Sequence, residues 1–218
     1  MVKGVLLDID GTLVASNEIH THAWKDAFQK FGYEIPFDKI RPLIGMGADN
    51  LLPTLIPNLN QEEDLGKKVT EERKKILIGK YSSKLEPTKG ARELIWRLKK
   101  LSFKLIVATS ASEDELQVLL QAADVDDLLN HFTTASDVEN SKPAPDIISV
   151  ALNKIALPPE EVIMLGDTPY DIESATKCNV PVIAFRSGGF PEEKLKNALM
   201  IFDDPADLLA HFEQTPFI

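Results

Sequence analysis

One cysteine, Cys178, is all that the 218-residue chain contains, so no internal disulfide can form and a reducing compartment is expected. Cys178 itself reads as a small residue on a helix. No apolar run approaches the ~20 residues a membrane-spanning helix needs. The first apolar run begins within three residues of the N-terminus, which predicts no signal peptide and a cytoplasmic protein. A long basic run is also missing, and the net charge is −10. Neither nucleic acid nor an anionic membrane is therefore expected as the main partner. A small anion stays open, because one lysine or one metal ion reverses the sign locally. Several familiar chemistries lack their signatures as well. There is no G-x-x-x-x-G-K-[ST] phosphate loop and no G-x-S-x-G turn. "GMGADN" (45–50) lacks the third glycine of a dinucleotide fingerprint. As a calcium loop, "DIDGTLVASNEI" has its glycine at position 4 where position 6 is required. His20 and His22, two apart, would point away from each other on a helix, which disfavours a zinc pair.

What is present begins with apolar runs. Hydrophobic residues make up 44% of the chain, enough to bury a core. "GVLLD" (4–8), "KLIVA" (104–108), "VIML" (162–165) and "VPVIAF" (180–185) read as strands buried on both faces, the pattern of a parallel sheet. Helical patterns lie at 91–101, 113–123, 146–155 and 171–177, and a short strand near 199–202 precedes a helix at 205–212. The alternation predicts an α/β doubly wound parallel sheet. Residues 15 to about 85 break the rhythm with helices alone, at 17–31, 37–43, 49–55 and about 61–81. Asn17 can cap the first of these, and Ile19, Ala23, Ala27 and Phe31 repeat at i, i+4 as its apolar face. "EERKK" (71–75) reads as a solvated face. The expected organisation is a core of residues 1–14 and 86–218 with an inserted all-helical cap at 15–85.

Polar residues fall where the strands end. Asp8 closes the first strand, Thr109 and Ser110 follow the second, and Gly166 and Asp167 follow the third, with Asp171 four residues on. In open α/β sheets ligands bind outside these carboxyl ends. Asp8 and Asp10 sit one residue apart; at ~4 Å two like charges cost about 1 kcal/mol in water and about 4 kcal/mol near a protein surface. Three carboxylates meeting at one sheet edge call for a hard divalent cation, and oxygen ligands suit Mg²⁺. Lys142 in "SKPAPD" (141–146) precedes Pro143, which imposes an extended backbone, and Pro145 can start the next helix. A lysine so placed is a candidate phosphate-binding charge.

The set "DIDGT" (8–12), "VATS" (107–110), "SKPAPD" (141–146) and "GDTPYD" (166–171) resembles the haloacid dehalogenase superfamily of phosphohydrolases, in its phosphoglycolate phosphatase and β-phosphoglucomutase branch. The resemblance implies a Rossmann-like core with a helical cap and a Mg²⁺-dependent phosphatase acting on a small phosphorylated metabolite. It implies Asp8 as the nucleophile that forms an aspartyl-phosphate and binds Mg²⁺, and Asp10 as general acid/base with its backbone carbonyl on the metal. Ser110 matches the hydroxyl that holds a phosphate oxygen, with Thr109 as the alternative. Lys142 matches the third-motif lysine, and Asp167 and Asp171 the acids near the metal. His20, Arg41 and Lys74 or Lys75 are candidates for substrate selection from the cap. A sugar-phosphate mutase is the nearest alternative, and a non-enzymatic phosphoacceptor module a more distant one. Gly166-Asp167 has the phosphatase form of the fourth motif, and no arginine follows Gly45 where mutases carry one. Monomer or small homo-oligomer is the expected assembly.

Overall fold

A computed structural model describes residues 1–218. The chain opens with β1 (Gly4–Leu7) and leaves the sheet for α1 (Asn17–Lys30), α2 (Phe37–Ile40), α3 (Ala48–Leu55) and α4 (Asp64–Ile76). It returns through α5 (Ala91–Lys100) to β2 (Lys104–Ala108), α6 (Glu113–Ala122) and β3 (Phe132–Thr133). Then come α7 (Asp146–Ile155), β4 (Val162–Gly166), α8 (Pro169–Lys177), β5 (Val182–Phe185), α9 (Glu192–Leu195), β6 (Met200–Phe202) and α10 (Pro205–Ala210). The six strands form one parallel sheet in the order β3-β2-β1-β4-β5-β6. The predicted doubly wound fold is therefore observed.

Alternation along each strand sends side chains to opposite faces. Val5, Leu7, Leu105, Val107, Ile163 and Leu165 pack under α5, α6 and α10; Leu6, Ile106, Met164 and Ala184 pack under α7 and α8. A third apolar cluster, separate from both, lies among α1 to α4 around Trp24, Phe28, Ile40, Leu51, Leu52 and Val69. The two chain crossings between sheet and helices pair with each other: Ala15 N–H donates to the Glu86 carbonyl and Thr88 N–H to the Leu13 carbonyl, both at 2.9 Å. No helix is long and apolar enough to cross a membrane.

Local departures from the sequence expectations have physical causes. The N-cap of α1 is Ser16, and Asn17, already helical, spends its side chain elsewhere. The buried stripe of α1 is His20, Ala23, Trp24, Ala27 and Phe28; Ile19 and Phe31 are only partly buried. The predicted long helix ends at Ile76 and continues as a wider turn over Leu77–Tyr81. β3 has two residues, too few for a periodicity, and exists through its ladder with β2.

Candidate active site

Register places the site. Leu7 pairs with Val107 on one side and Leu165 on the other, so the residues after β1, β2 and β4 emerge together. The chain runs outward from β1 to β3 and then returns to β4, which makes this the point where strand order reverses, the usual ligand crevice.

Asp8, Asp167 and Asp171 meet there, with one carboxylate oxygen of each within 4.8 Å of the others. Lys142 is 1% exposed and donates from Nζ to Asp8 Oδ1 at 2.6 Å and to Asp171 Oδ1 at 2.7 Å. The second oxygen of Asp171 accepts from Thr168 N–H at 3.0 Å and Thr168 Oγ1 at 2.7 Å, closing the capping box of α8. Asp167 accepts from Thr12 Oγ1 at 3.1 Å and from Asn17 Nδ2 at 2.8 Å. Gly11 has φ of 77°, and a Cβ there would collide with Asp167 and Asn17. Only glycine lets the turn after β1 pass so close to the acid.

The neighbouring acids Asp8 and Asp10 are kept apart by their partners. Asp10 Oδ1 turns to Ser16 Oγ and His20 Nε2, each at 2.6 Å, away from the Asp8–Asp167–Asp171 cluster. Burial would raise the Asp10 carboxyl, but the His20 charge and the hydrogen bonds from His20 and Ser16 outweigh it and hold it below the ordinary value. Asp8 behaves in the opposite way. Burial pushes it up to about 8, aided by repulsion from Asp171 and Asp10 and opposed by Lys142. Burial and the charges of Asp8 and Asp171 likewise push Asp167 well up. The Lys142 ammonium is also raised above its ordinary value, because the charges of Asp171 and Asp8 outweigh its desolvation, and it stays charged. Ionised, these three buried acids would exceed the one ammonium beside them. An all-oxygen donor set in which burial holds Asp8 and Asp167 toward the neutral form fits a hard divalent cation that would favour the ionised form.

A cavity of about 40 Å³, room for a few waters, opens above these groups. Asp8, Asp10, His20, Ser110 and Arg73 line it, together with Trp24 and the Ile44–Met46 turn. Of the two candidate hydroxyls, Thr109 Oγ1 accepts from Ala111 N–H at 3.0 Å, whereas Ser110 Oγ is buried with no partner in the protein. Ser110 is the one free to meet a ligand. Arg41 lies outside this cavity: its guanidinium donates to the Gly188 carbonyl and sits over the Phe190 ring. Lys74 pairs with Glu71 and Asp114 at the surface, and Lys75 is exposed.

The residue sequence reading missed is Arg73. Set in "EERKK", it looked solvated, yet it is 8% exposed, pairs with Glu115 of α6 and stacks on Trp24 at 4.9 Å. The available signal was its spacing: Arg73 is four residues from both Val69 and Leu77, in line with the buried stripe.

Comparison with known proteins agrees with this geometry. A family model described as haloacid dehalogenase-like hydrolase matches residues 5–185. A phosphorylated carbohydrates phosphatase of Thermotoga maritima is 26% identical, over 82% of this chain and 82% of its own. A pyrophosphatase PpaX of Bacillus cereus is 26% identical over 78% and 77%. Among solved structures, a hydrolase from Pseudomonas syringae superposes with a TM-score of 0.91 at 28% identity, covering 98% of this chain and 99% of that one.

Proposed function

The chain belongs to the haloacid dehalogenase-like hydrolase family, and on that premise we propose that it is a Mg²⁺-dependent phosphatase releasing phosphate from a small phosphomonoester. The observation that carries the reading is the state of Asp8. Lys142 holds its Oδ1, while Oδ2 makes no hydrogen bond in the protein and belongs to a residue facing the cavity beside the unpartnered Ser110 hydroxyl.

In the proposed reaction Asp8 attacks phosphorus, the bond to the leaving oxygen breaks, and an aspartyl-phosphate forms. Lys142 and Ser110 bind the phosphoryl oxygens as charge shifts among them. The Asp10–His20 pair delivers a proton to the leaving oxygen. In the second half, Asp10, held ionised by its partners, takes a proton from water, which attacks phosphorus and frees Asp8. Asp8 and Asp167 would hold the Mg²⁺, with the Asp10 backbone carbonyl, and Asp171 would support them through Lys142. Bound there, the ion supplies positive charge to the carboxylates and to the transferring group. Residues 15–85 serve as a cap whose movement about the paired crossings near 14–17 and 84–90 admits substrate and excludes bulk water.

The test is phosphate release by chelator-treated protein. Activity on phosphomonoesters should be absent, return with Mg²⁺, and return little or not at all with Ca²⁺, which prefers more ligands in looser geometry. Full activity without a divalent ion would refute the metal assignment. Phosphate release should also exceed any conversion of glucose 1-phosphate to glucose 6-phosphate; faster isomerisation would make the protein a mutase.

A further inference from the structure

Ser110 and Arg73 line the cavity above Asp8 and also a second chamber of about 170 Å³ beside it. Asp49, Glu62 and Thr70 line this chamber from the helical side, and Glu115 and Glu139 from the sheet side. Seven buried side-chain polar atoms in the whole protein lack a hydrogen-bond partner, and four belong to residues lining this chamber: Asp49 Oδ1, Thr70 Oγ1, Arg73 Nε and Ser110 Oγ. Buried polar groups are ordinarily paired, so such a concentration at one place marks a surface built for a ligand rich in hydrogen-bonding groups. Arg73, more than nine-tenths buried, is among them.

Charge narrows the class of that ligand. Four carboxylates, those of Asp49, Glu62, Glu115 and Glu139, face one guanidinium, and the guanidinium is already paired with Glu115. A leaving group bearing a second phosphate or a carboxylate would enter among acids with no free cation to receive it. Hydroxyl groups suit the same walls: they donate to Asp49 Oδ1 and accept from Arg73 Nε–H and Thr70. Resting on the phosphatase reading above, we propose that the substrate is the monophosphate of a neutral polyhydroxylated compound, a sugar or sugar alcohol. Its hydroxyls occupy the chamber, with Asp49, Thr70 and Arg73 as the specificity-determining residues.

The experiment measures kcat/KM of the full chain with Mg²⁺ on sorbitol 6-phosphate and glucose 6-phosphate, against 2-phosphoglycolate and pyrophosphate. The polyol phosphates should lead by about tenfold or more, the range of a hydrogen bond to a charged group. In Asp49→Asn, which keeps an acceptor for Ser141 N–H (3.0 Å in the native protein), the rate on polyol phosphates should fall and that on 2-phosphoglycolate should rise. In Thr70→Val the KM for polyol phosphates should rise more than that for 2-phosphoglycolate. A wild-type preference for the anionic substrates would overturn the inference, as would variants that slow both classes equally. p-Nitrophenyl phosphate separates the two levels of failure. If it is hydrolysed while the preference is reversed, only the substrate class is wrong; if nothing releases phosphate, the phosphatase reading itself falls.

Discussion

Asp8→Asn should yield a folded protein whose phosphate release is lower by on the order of 10⁴–10⁶-fold, the scale of losing a nucleophile. An amide keeps the shape and still accepts from Lys142, but it cannot form the aspartyl-phosphate. The same substitution should stabilise the metal-free protein. The Asp8 carboxyl is raised to about 8 by burial first and then by Asp171 and Asp10, against Lys142. A raised carboxyl binds a proton more tightly in the folded chain than in the unfolded one. Between about pH 4 and pH 8, therefore, the folded state holds more protons, and stability falls as pH rises. Asparagine removes that penalty, so the advantage of the variant should grow across this window. Each tenfold difference in proton affinity between the folded and unfolded chain corresponds to about 1.4 kcal/mol, and a chain of this size gains roughly 2–4 °C in Tm per kcal/mol. Thermal unfolding of both proteins in chelator, from pH 5 to pH 8, checks the trend. Added Mg²⁺ should reverse the order by stabilising the wild type alone. A wild type that is the more stable at pH 8 without metal would contradict the burial account, and substantial residual turnover would remove Asp8 as nucleophile.

Asp8 and Asp167 were legible in the sequence because strand ends are. An apolar run of four or five residues buried on both faces must stop where the sheet stops, and a charged residue at that stop is conspicuous. Asp8 and Asp167 were found that way, and Lys142 from its place between Ser141 and Pro143 ahead of α7; the fold brings the lysine onto Asp8. Partners that depend on tertiary packing were not legible. Asn17 is a residue type favoured as a helix cap, yet a buried carboxylate 150 residues away takes its amide. Arg73 sits in a run of charges, and composition alone makes such a run a solvated face. Only its phase relative to Val69 and Leu77 reveals that it points inward, where Trp24 and Glu115 receive it. The partners that keep Asp8 and Asp10 apart also come from tertiary packing. Each has its own hydrogen-bond partner: Lys142 for Asp8, and His20 with Ser16 for Asp10.

Lys142→Met is expected to cost both activity and stability. Lys142 is the only cation hydrogen-bonded to Asp8 and Asp171, and all three side chains are buried. Removing one partner of a buried charged group typically costs about 3–5 kcal/mol, because the remaining charge is left unpaired. On this chain that predicts a Tm lower by roughly 10 °C in chelator. Phosphate release should fall by about 10²–10³-fold or more, the scale of losing one preorganised charge-stabilising donor. Lys142→Arg should not restore it, since a planar guanidinium in a space 1% exposed cannot place one donor between Asp8 Oδ1 and Asp171 Oδ1. The decisive comparison is the double variant Asp8→Asn with Lys142→Met. If the loss of stability comes from uncompensated carboxylates, neutralising Asp8 must recover part of it, and the two substitutions will be non-additive by more than about 0.5 kcal/mol. Additive losses would mean that Lys142 contributes packing volume alone. In that case its hold on Asp8, and with it the positioning of the nucleophile, would have to be abandoned.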